Sequence, residues 1–261
     1  MPSPADTRLA APALEADALC VSWDGSPVVE GVSLSLAPGE LACLVGRSGT
    51  GKTTLFHALA GLAVPDSGRV LLHGEDVTGR PGRVSYMLQK DLLLESRTVM
   101  GNVCLPLVLA GVPMREARAK AEPLLGRFGL GGTADLWPAQ LSGGMRQRAA
   151  LLRTYLMDND AVLLDEPFSA LDAITRAEMR DWFCGIVSEL GLTALVVTHD
   201  VDEAVSLASR VFVLAGSPQA GVPSRLVGEV AVPGAPSERG PEFDLTDEFL
   251  AAKREVHALL G

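Results

Sequence analysis

Gly46-Arg47-Ser48-Gly49-Thr50-Gly51-Lys52-Thr53-Thr54 stands between an apolar run, Leu41-Ala42-Cys43-Leu44-Val45, and a stretch of helical character from Lys52 to Leu62. Strand, glycine-bearing loop and helix in that order make a phosphate-binding loop. The glycines let the backbone curl so that successive N–H groups point inward at phosphate oxygens. The start of the following helix adds roughly half a unit of positive charge at the same place. Lys52 brings a full positive charge for the β- and γ-phosphates, and Thr53 a hydroxyl for Mg²⁺. The spacing G-x-x-x-x-G-K-[ST] arises by chance in about one chain in a hundred of this length. With strand and helix flanking it, a plain glycine-rich turn is the weaker reading. The loop indicates a nucleotide and leaves the use of that nucleotide open.

A chain of 261 residues is enough for one large α/β domain or two small ones, and 48% hydrophobic residues can fill a sizeable core. The formal net charge of −10 argues against non-specific nucleic-acid binding, which needs a basic footprint, and against broad electrostatic attachment to anionic lipid. No uninterrupted apolar stretch reaches membrane-spanning length. Residues 1–16 are rich in Ala and Pro, carry Asp6 and Glu15, and lack the apolar centre of a secretory signal; they are expected to form a flexible N-terminus. Cys20, Cys43, Cys104 and Cys184 are scattered, with no C-x-x-C pair, as reduced core cysteines of a cytosolic protein are.

Strand-like patterns begin at Ala18 (residues 18–23), continue over Val32–Leu36, and recur at Arg69–Gly74 and Arg83–Leu88, the last closed by Gln89. From about 90 to 157 the pattern is helical, with Met114, Ala117, Ala121, Leu124, Leu125 and Phe128 at helical spacing. Alternation of strands and helices resumes at Ala161-Val162-Leu163-Leu164, an apolar run expected of a strand buried on both faces of a parallel sheet. A helix over Ala173–Leu190 follows, with Asp172 as N-cap and Gly191 as C-cap. Its expected inner face is Ile174, Ala177, Trp182, Phe183, Ile186, Val187 and Leu190. Strands at Thr193–Val197 and Val211–Leu214 come next. After Gly216 the chain is rich in Pro and Gly to about 241, and Phe243–Leu260 reads as a terminal helix.

Asp165 and Glu166 stand at the carboxyl end of a parallel strand, where such folds bind ligands. Asp165 suits Mg²⁺, directly or through water. Glu166 suits a general base for an attacking water. His199, in Thr198-His199-Asp200 at the end of the next strand, can hydrogen-bond a γ-phosphate. Gln89 can reach Mg²⁺ or the water. His57, His73 and His257 read as structural or exposed. Leu141-Ser142-Gly143-Gly144-Met145-Arg146-Gln147-Arg148 opens another helix and forms a second anion-binding helix start. It duplicates the first loop unless it serves a second nucleotide, or the same nucleotide from another molecule.

The stretch Leu141–Gln147 resembles the signature motif of the ATP-binding cassette (ABC) family. The phosphate loop, Gln89, Asp165-Glu166-Pro167, Ser169-Ala170-Leu171-Asp172 and His199 complete the ordered set of motifs over roughly residues 18–216. The resemblance implies an α/β fold: a RecA-like P-loop NTPase core with an antiparallel β subdomain and an inserted α-helical subdomain. It places an ABC nucleotide-binding domain at 17–218, its helical subdomain at about 90–157, and a C-terminal tail at 219–261. It implies ATP and Mg²⁺ as cofactors, with Thr53, Gln89 and Asp165 at the metal, and Glu166, His199, Gln89 and Lys52 in catalysis. Trp23 matches the family's adenine-stacking aromatic; the other reading is a strand aromatic in the core. Trp137 is expected to pack the signature loop. The family acts as a head-to-tail pair, homodimer or paired cassette, with each ATP between the phosphate loop of one subunit and Ser142-Gly143-Gly144 of the other; Asp172 couples the two sites.

Within the family, Met87–Leu94, Asp165–Arg176, Ala204–Leu214 and Val227–Val230 look like importers of nitrate, sulfonate, taurine or thiamine-precursor pyrimidines. Glu95-Ser96 departs from the Pro-Trp usual at the place that meets a permease. The implied partners are an integral membrane permease and an extracytoplasmic solute-binding protein, with no nucleic acid, at the cytoplasmic face of the inner membrane. The rival readings are an exporter or lipid-extracting ATPase subunit and, more remotely, a soluble ABC ATPase acting on ribosomes or DNA.

Overall fold

The computed structural model describes residues 11–240 and 242–261. In chain order its strands are β1 (Leu14–Trp23), β2 (Ser26–Leu36), β3 (Leu41–Val45), β4 (Ser67–Leu72), β5 (Glu75–Asp76), β6 (Ser85–Met87), β7 (Ala161–Asp165), β8 (Thr193–Thr198), β9 (Arg210–Ser217) and β10 (Val222–Ala231). The helices are α1 (Lys52–Leu59), α2 (Val99–Val103), α3 (Leu105–Leu109), α4 (Met114–Arg127), α5 (Gly143–Tyr155), α6 (Ala173–Leu190), α7 (Val201–Leu207) and α8 (Asp247–Leu260). One sheet holds the strands in the order β5-β4-β1-β2-β10-β9-β3-β8-β7-β6.

Three central strands, β3, β7 and β8, are buried at every residue. That explains why their sequences are apolar throughout instead of alternating. In β3, Leu41, Cys43 and Val45 face one core while Ala42 and Leu44 face the other, as the period of two requires. The first core takes in α2, α4, α5, α6, α7 and α8; the second joins α1 to the antiparallel strands β1, β2 and β4. Parallel pairing sets Val45 beside Thr198 and Asp165 beside Val197. Three strands therefore release their loops along one edge.

The helices α2 to α5 lie between β6 and β7 in the chain. Buried Asn102 fastens this insertion to the segment leading into it. Its Oδ1 accepts from the Leu94 N–H at 2.6 Å, and its Nδ2 donates to the carbonyls of Leu94, Arg97 and Thr98 at 3.0, 3.1 and 3.0 Å. Arg153 donates to the carbonyls of Asp91 and Leu92. Leu92, Leu94, Glu95 and Ser96 are left exposed on this backbone.

Several expectations need correction. Of the N-terminal stretch expected to be flexible, residues 1–10 lie outside the described residues, but β1 already begins at Leu14, and Ala13, Leu14 and Ala16 are buried. The alternation is broken at Ala18, which has φ 49° and lies where the β1–β2 register shifts; this bulge hid the first half of the strand. Helix α1 ends at Leu59, not Leu62. On α6, Ile174 and Ala177 are exposed, because its first turn overhangs the core; Met179 and Cys184 are buried in their place. Trp182 is half-buried, edge-on to Phe128, with the Arg148 guanidinium 4.6 Å from its ring centre. Cys20 is half-buried, whereas Cys43, Cys104 and Cys184 are buried; all four are free thiols.

The Pro- and Gly-rich stretch after Gly216 contains a full strand, β10, paired antiparallel with β9. Most of its residues are exposed or half-exposed, so it lacks the apolar pattern that marked the central strands. Helix α8 then returns to the body, burying Phe249, Ala252 and Val256. Between them Arg239 acts as a clamp. It donates to the carbonyls of Val205, Ser206, Val232, Pro233 and Gly234 at 2.9–3.2 Å and sits over the Phe243 ring.

Replacing Arg239 with Met strips five carbonyls of their charged donor. The variant is expected to lose about 2 kcal/mol of stability and to exchange backbone hydrogens faster over 232–247. Denaturant melts with hydrogen-exchange mass spectrometry measure both; unchanged exchange in that segment rules the clamp out.

Candidate functional site

The loop at 46–54, the ends of β7 and β8 and the residue Trp23 surround a cavity of about 700 Å³, in the size range of small-molecule sites. The phosphate loop is shaped by close approach. Gly49 and Gly51 hold φ of 82° and 81°. A Cβ on Gly46 would lie 2.6 Å from the Leu214 carbonyl oxygen, and one on Gly51 would lie 2.5 Å from Val28 Cγ1. Lys52 is buried and donates from Nζ to the carbonyls of Gly46 and Arg47 at 2.7 and 3.1 Å. Burial lowers the pKa of its ammonium, while Glu166 and Asp165 pull it back up. No side chain caps the start of α1, so its free N–H groups are available to a ligand. Ser48, Thr53 and Thr54 line the same cavity. Thr50 Oγ1 closes the loop on the Arg47 carbonyl at 2.9 Å, and the Arg47 guanidinium hydrogen-bonds the Gly261 carbonyl.

Asp165 ends β7 and is buried; burial raises its pKa against the opposing effect of Tyr86. The Tyr86 hydroxyl donates to Asp165 Oδ2 at 3.2 Å, and burial pushes that phenol well above its ordinary range. Tyr86 was not singled out from sequence. It stands beside Ser85 in the short strand β6, where nothing in the sequence marks one hydroxyl as aimed at a carboxylate on the neighbouring strand.

Glu166 holds φ 44°, a conformation unfavourable for a residue with a side chain and characteristic of functional positions. Its N–H bonds the Val197 carbonyl at 2.9 Å, and its own carbonyl accepts from Ser169 Oγ at 2.9 Å. Its carboxylate is gripped on both sides: Gln89 Nε2 donates to Oε2 at 3.0 Å, and His199 Nδ1 lies 3.0 Å from Oε1. Gln89, Asp165, Glu166 and His199, drawn from three different strand ends, thus face the phosphate loop across one cavity. Hydroxyl, amide and carboxylate oxygens of Thr53, Gln89 and Asp165 form a hard donor set of the kind a divalent cation takes alongside phosphate oxygens. Among the described residues no group of three or more His, Cys, Asp or Glu side chains makes a dedicated metal cage.

Trp23 is 64% exposed at the cavity mouth, which excludes the core reading and leaves a ring face open for stacking. Pro218 and Gln219, from the turn after β9, also line the cavity. They went unnoticed because they lie beyond the last apolar strand pattern.

Ser142, Gly143, Gly144 and Asp172 are not brought to this cavity. Ser142 caps α5, accepting from the Met145 N–H at 3.2 Å. Gly143 and Gly144 pack against Leu171 and Thr175. Asp172 caps α6, accepting from the N–H groups of Ile174 and Thr175 and from the Thr175 hydroxyl, bonds that hold its carboxyl below the usual range. Ser142 and Asp172 are exposed, and so form one outward-facing edge. Trp137 is half-exposed and starts the turn Pro138–Gln140 that leads into Leu141.

A family model described as ABC transporter matches residues 29–169. The chain is 42% identical over 193 residues to the formylaminopyrimidine import ATP-binding protein ThiZ of Halalkalibacterium halodurans, covering 74% of this chain and 75% of that protein. It is 42% identical to the aliphatic sulfonates import ATP-binding protein SsuB of Cupriavidus pinatubonensis, over 82% of this chain and 69% of that one. It is 37% identical to the taurine import ATP-binding protein TauB of Yersinia pseudotuberculosis, over 92% and 96%. Among solved structures it is similar to cbiO1 of Clostridium perfringens, part of the ABC transporter complex cbiONQ, with TM-score 0.75, 25% identity, and coverage of 95% of this chain and 99% of that one. An ATP-binding cassette of an ABC transporter shares the fold with TM-score 0.77 at 18% identity, over 95% and 98%.

Removing the ring of Trp23 by substitution with Ala is expected to weaken adenine-nucleotide binding roughly tenfold, the scale of one base–aromatic stack, without lowering the melting temperature of the nucleotide-free chain. Titration with a fluorescent nucleotide checks it; unaltered affinity would return Trp23 to a bystander.

Proposed function

This chain belongs to the ABC transporter family as an ATP-binding subunit with ATPase activity that energises a membrane permease, and from that membership we propose its cargo, its site chemistry and its assembly. The cargo proposed is a small polar or anionic solute taken up into the cell: an aliphatic sulfonate, taurine or a formylaminopyrimidine, as named for its relatives, or nitrate by the resemblance of its sequence. The nucleotide-binding unit extends beyond the 17–218 expected from sequence: β1 begins at Leu14 and β10 lies between β2 and β9 in the same sheet; its helical part is at about 90–157, and the residues after Ala231 form the tail.

The adenine stacks on Trp23, and the phosphates lie in the loop from Gly46 to Thr54, with Lys52 Nζ moving from its own loop carbonyls to the β- and γ-phosphates. Thr53, Gln89 and Asp165 hold Mg²⁺, which supplies charge neutralisation on the phosphate oxygens. Glu166 takes the proton of the attacking water, with Gln89 and His199 fixing the two oxygens of its carboxylate. His199 also contacts the γ-phosphate. Ser142, Gly143 and Gly144 complete the site of a second copy or paired cassette, and Asp172 meets the same partner. Their position away from the cavity of their own chain supports this arrangement, since a single chain leaves that helix start without a phosphate. An extracytoplasmic binding protein delivers the solute, and the subunit works at the cytoplasmic face of the inner membrane. None of the described helices is long and apolar enough to cross a membrane, which fits a peripheral role. The exposed Leu92, Leu94, Glu95 and Ser96 face the permease.

The two-sided grip on Glu166 beside the phosphate loop carries this reading. Glu166→Gln keeps the size and a hydrogen-bonding end but removes the base. ATP turnover is expected to fall by about 10²–10⁴-fold, with ATP retained and the subunit trapped as a dimer in size-exclusion chromatography. Turnover close to that of the unaltered protein would remove Glu166 from the role of base. Mixing Lys52→Ala with Ser142→Arg subunits, each inactive alone, is expected to restore up to one working site per dimer; no recovery at any ratio contradicts the paired site.

A further inference from the structure

Behind Glu166 and His199 lies a second, much smaller cavity of about 50 Å³. Its remaining walls are Ser169, Thr198 and Asp200, with Arg176 from α6 and Glu203 from α7. Glu166 and His199 line both this cavity and the large one, whereas the phosphate-loop residues line only the large one, so the two cavities adjoin across Glu166 and His199. Glu203 is 5% exposed, and its Oε1 has no hydrogen-bond partner among the described residues; the same holds for Nε of Arg176 and of Arg180. Arg176 and Arg180 stand one turn apart on α6, and neither comes within 4 Å of Glu203 as an ion pair. A buried carboxylate with an open oxygen is costly unless something hydrates it. A polar space of this size with several polar walls accommodates ordered water.

On the reading of Glu166 and His199 given above, we propose that Glu203 and Arg176 are positioning residues. Bridged through water in this cavity, they couple the Asp172 end of α6 to the loop that carries His199, and through His199 to Glu166. The covalent and hydrogen-bonded steps on either side of that water bridge are in place. The Arg176 N–H donates to the Asp172 carbonyl at 2.8 Å, and Arg176 Nη2 to the Leu171 carbonyl at 2.9 Å. The Glu203 N–H donates to Asp200 Oδ1 at 3.1 Å, and the Asp200 N–H to Thr198 Oγ1 at 3.1 Å. His199 lies between those last two residues and touches Glu166. Water between the two side chains, instead of a direct ion pair, lets α6 and α7 shift slightly without breaking the connection. Burial and the neighbouring Asp200 push the Glu203 carboxyl up to about 7, against the pull of the Thr198 hydroxyl, Arg176 and Arg180. This is the behaviour of a carboxyl without a direct counter-ion, and it accords with the geometry.

Arg176→Met and Glu203→Met each keep the length and remove the polar end. In the purified full chain each is expected to lower kcat about tenfold with KM for ATP within about twofold, and the double variant is expected to fall no further than either single one. Glu203→Gln, whose amide still bonds water, is expected to retain most of kcat. Unchanged kcat in folded Met variants, or losses that multiply to about a hundredfold in the double variant, would overturn the link. A second readout needs no turnover. The chain has four histidines, whose ring Cε1–H signals can be assigned by a His199→Ala spectrum. Arg176→Met is expected to move the His199 signal and leave those of His57, His73 and His257 in place; an unmoved His199 signal refutes the link. If Glu166→Gln keeps full turnover, the assignment of the base falls instead, and the His199 signal alone decides the coupling.

Discussion

Burial of β3, β8 and β7 on both faces is the constraint from which the rest of the structure follows. A strand with two dry faces can satisfy its backbone only through the ladder to its neighbours, and in this order all three run parallel. Parallel strands release their loops at the same edge. Gly46 lies more than a hundred residues before Glu166 and His199 in the chain, yet the three meet because Val45, Asp165 and Thr198 end adjacent strands of one parallel ladder. Gln89 joins them from β6 by the same rule. The site is a by-product of register, and a slip of one residue in any of these strands would turn its functional loop toward the wrong face.

What was legible in the sequence was what this constraint writes plainly. A fully apolar five-residue run reads as a double-buried strand, and polar residues at its end read as ligands. The phosphate loop, Asp165-Glu166 and His199 are of this kind, and the structure brings them together with Gln89 and Trp23. What was not legible depends on geometry between elements. Tyr86 reaches Asp165 across a strand pair, and no spacing within one strand encodes that. β10 is a mostly exposed strand, so its pattern carries no burial signal. The bulge at Ala18 interrupts an alternation that is otherwise clear. Ile174 has the right periodic position on α6 but lies past the end of the core it was expected to enter, because periodicity gives the face of a helix and not where along the helix the core stops.

Ser142-Gly143-Gly144 and Asp172 illustrate a different limit. Their chemistry, a serine-capped helix start and a carboxylate that caps the next helix, is complete in the sequence and in the fold, yet neither lines the cavity of its own chain. Leu171 and Thr175 pack against the two glycines, so the two motifs share one rigid edge. Any partner that engages one is held in fixed relation to the other. The start of α6 therefore belongs both to that edge and, through Arg176, to the wall behind Glu166.

Asn102 shows how such a fold separates what must stay from what can change. Its single buried amide holds the backbone from Leu94 to Thr98 with four hydrogen bonds, and Arg153 adds two carbonyls just before them. None of these bonds involves the exposed side chains of Leu92, Leu94, Glu95 or Ser96. The shape of that loop is thus independent of the residues it displays. Such a segment can exchange its outward residues in the course of descent while the machinery beneath it keeps the same form.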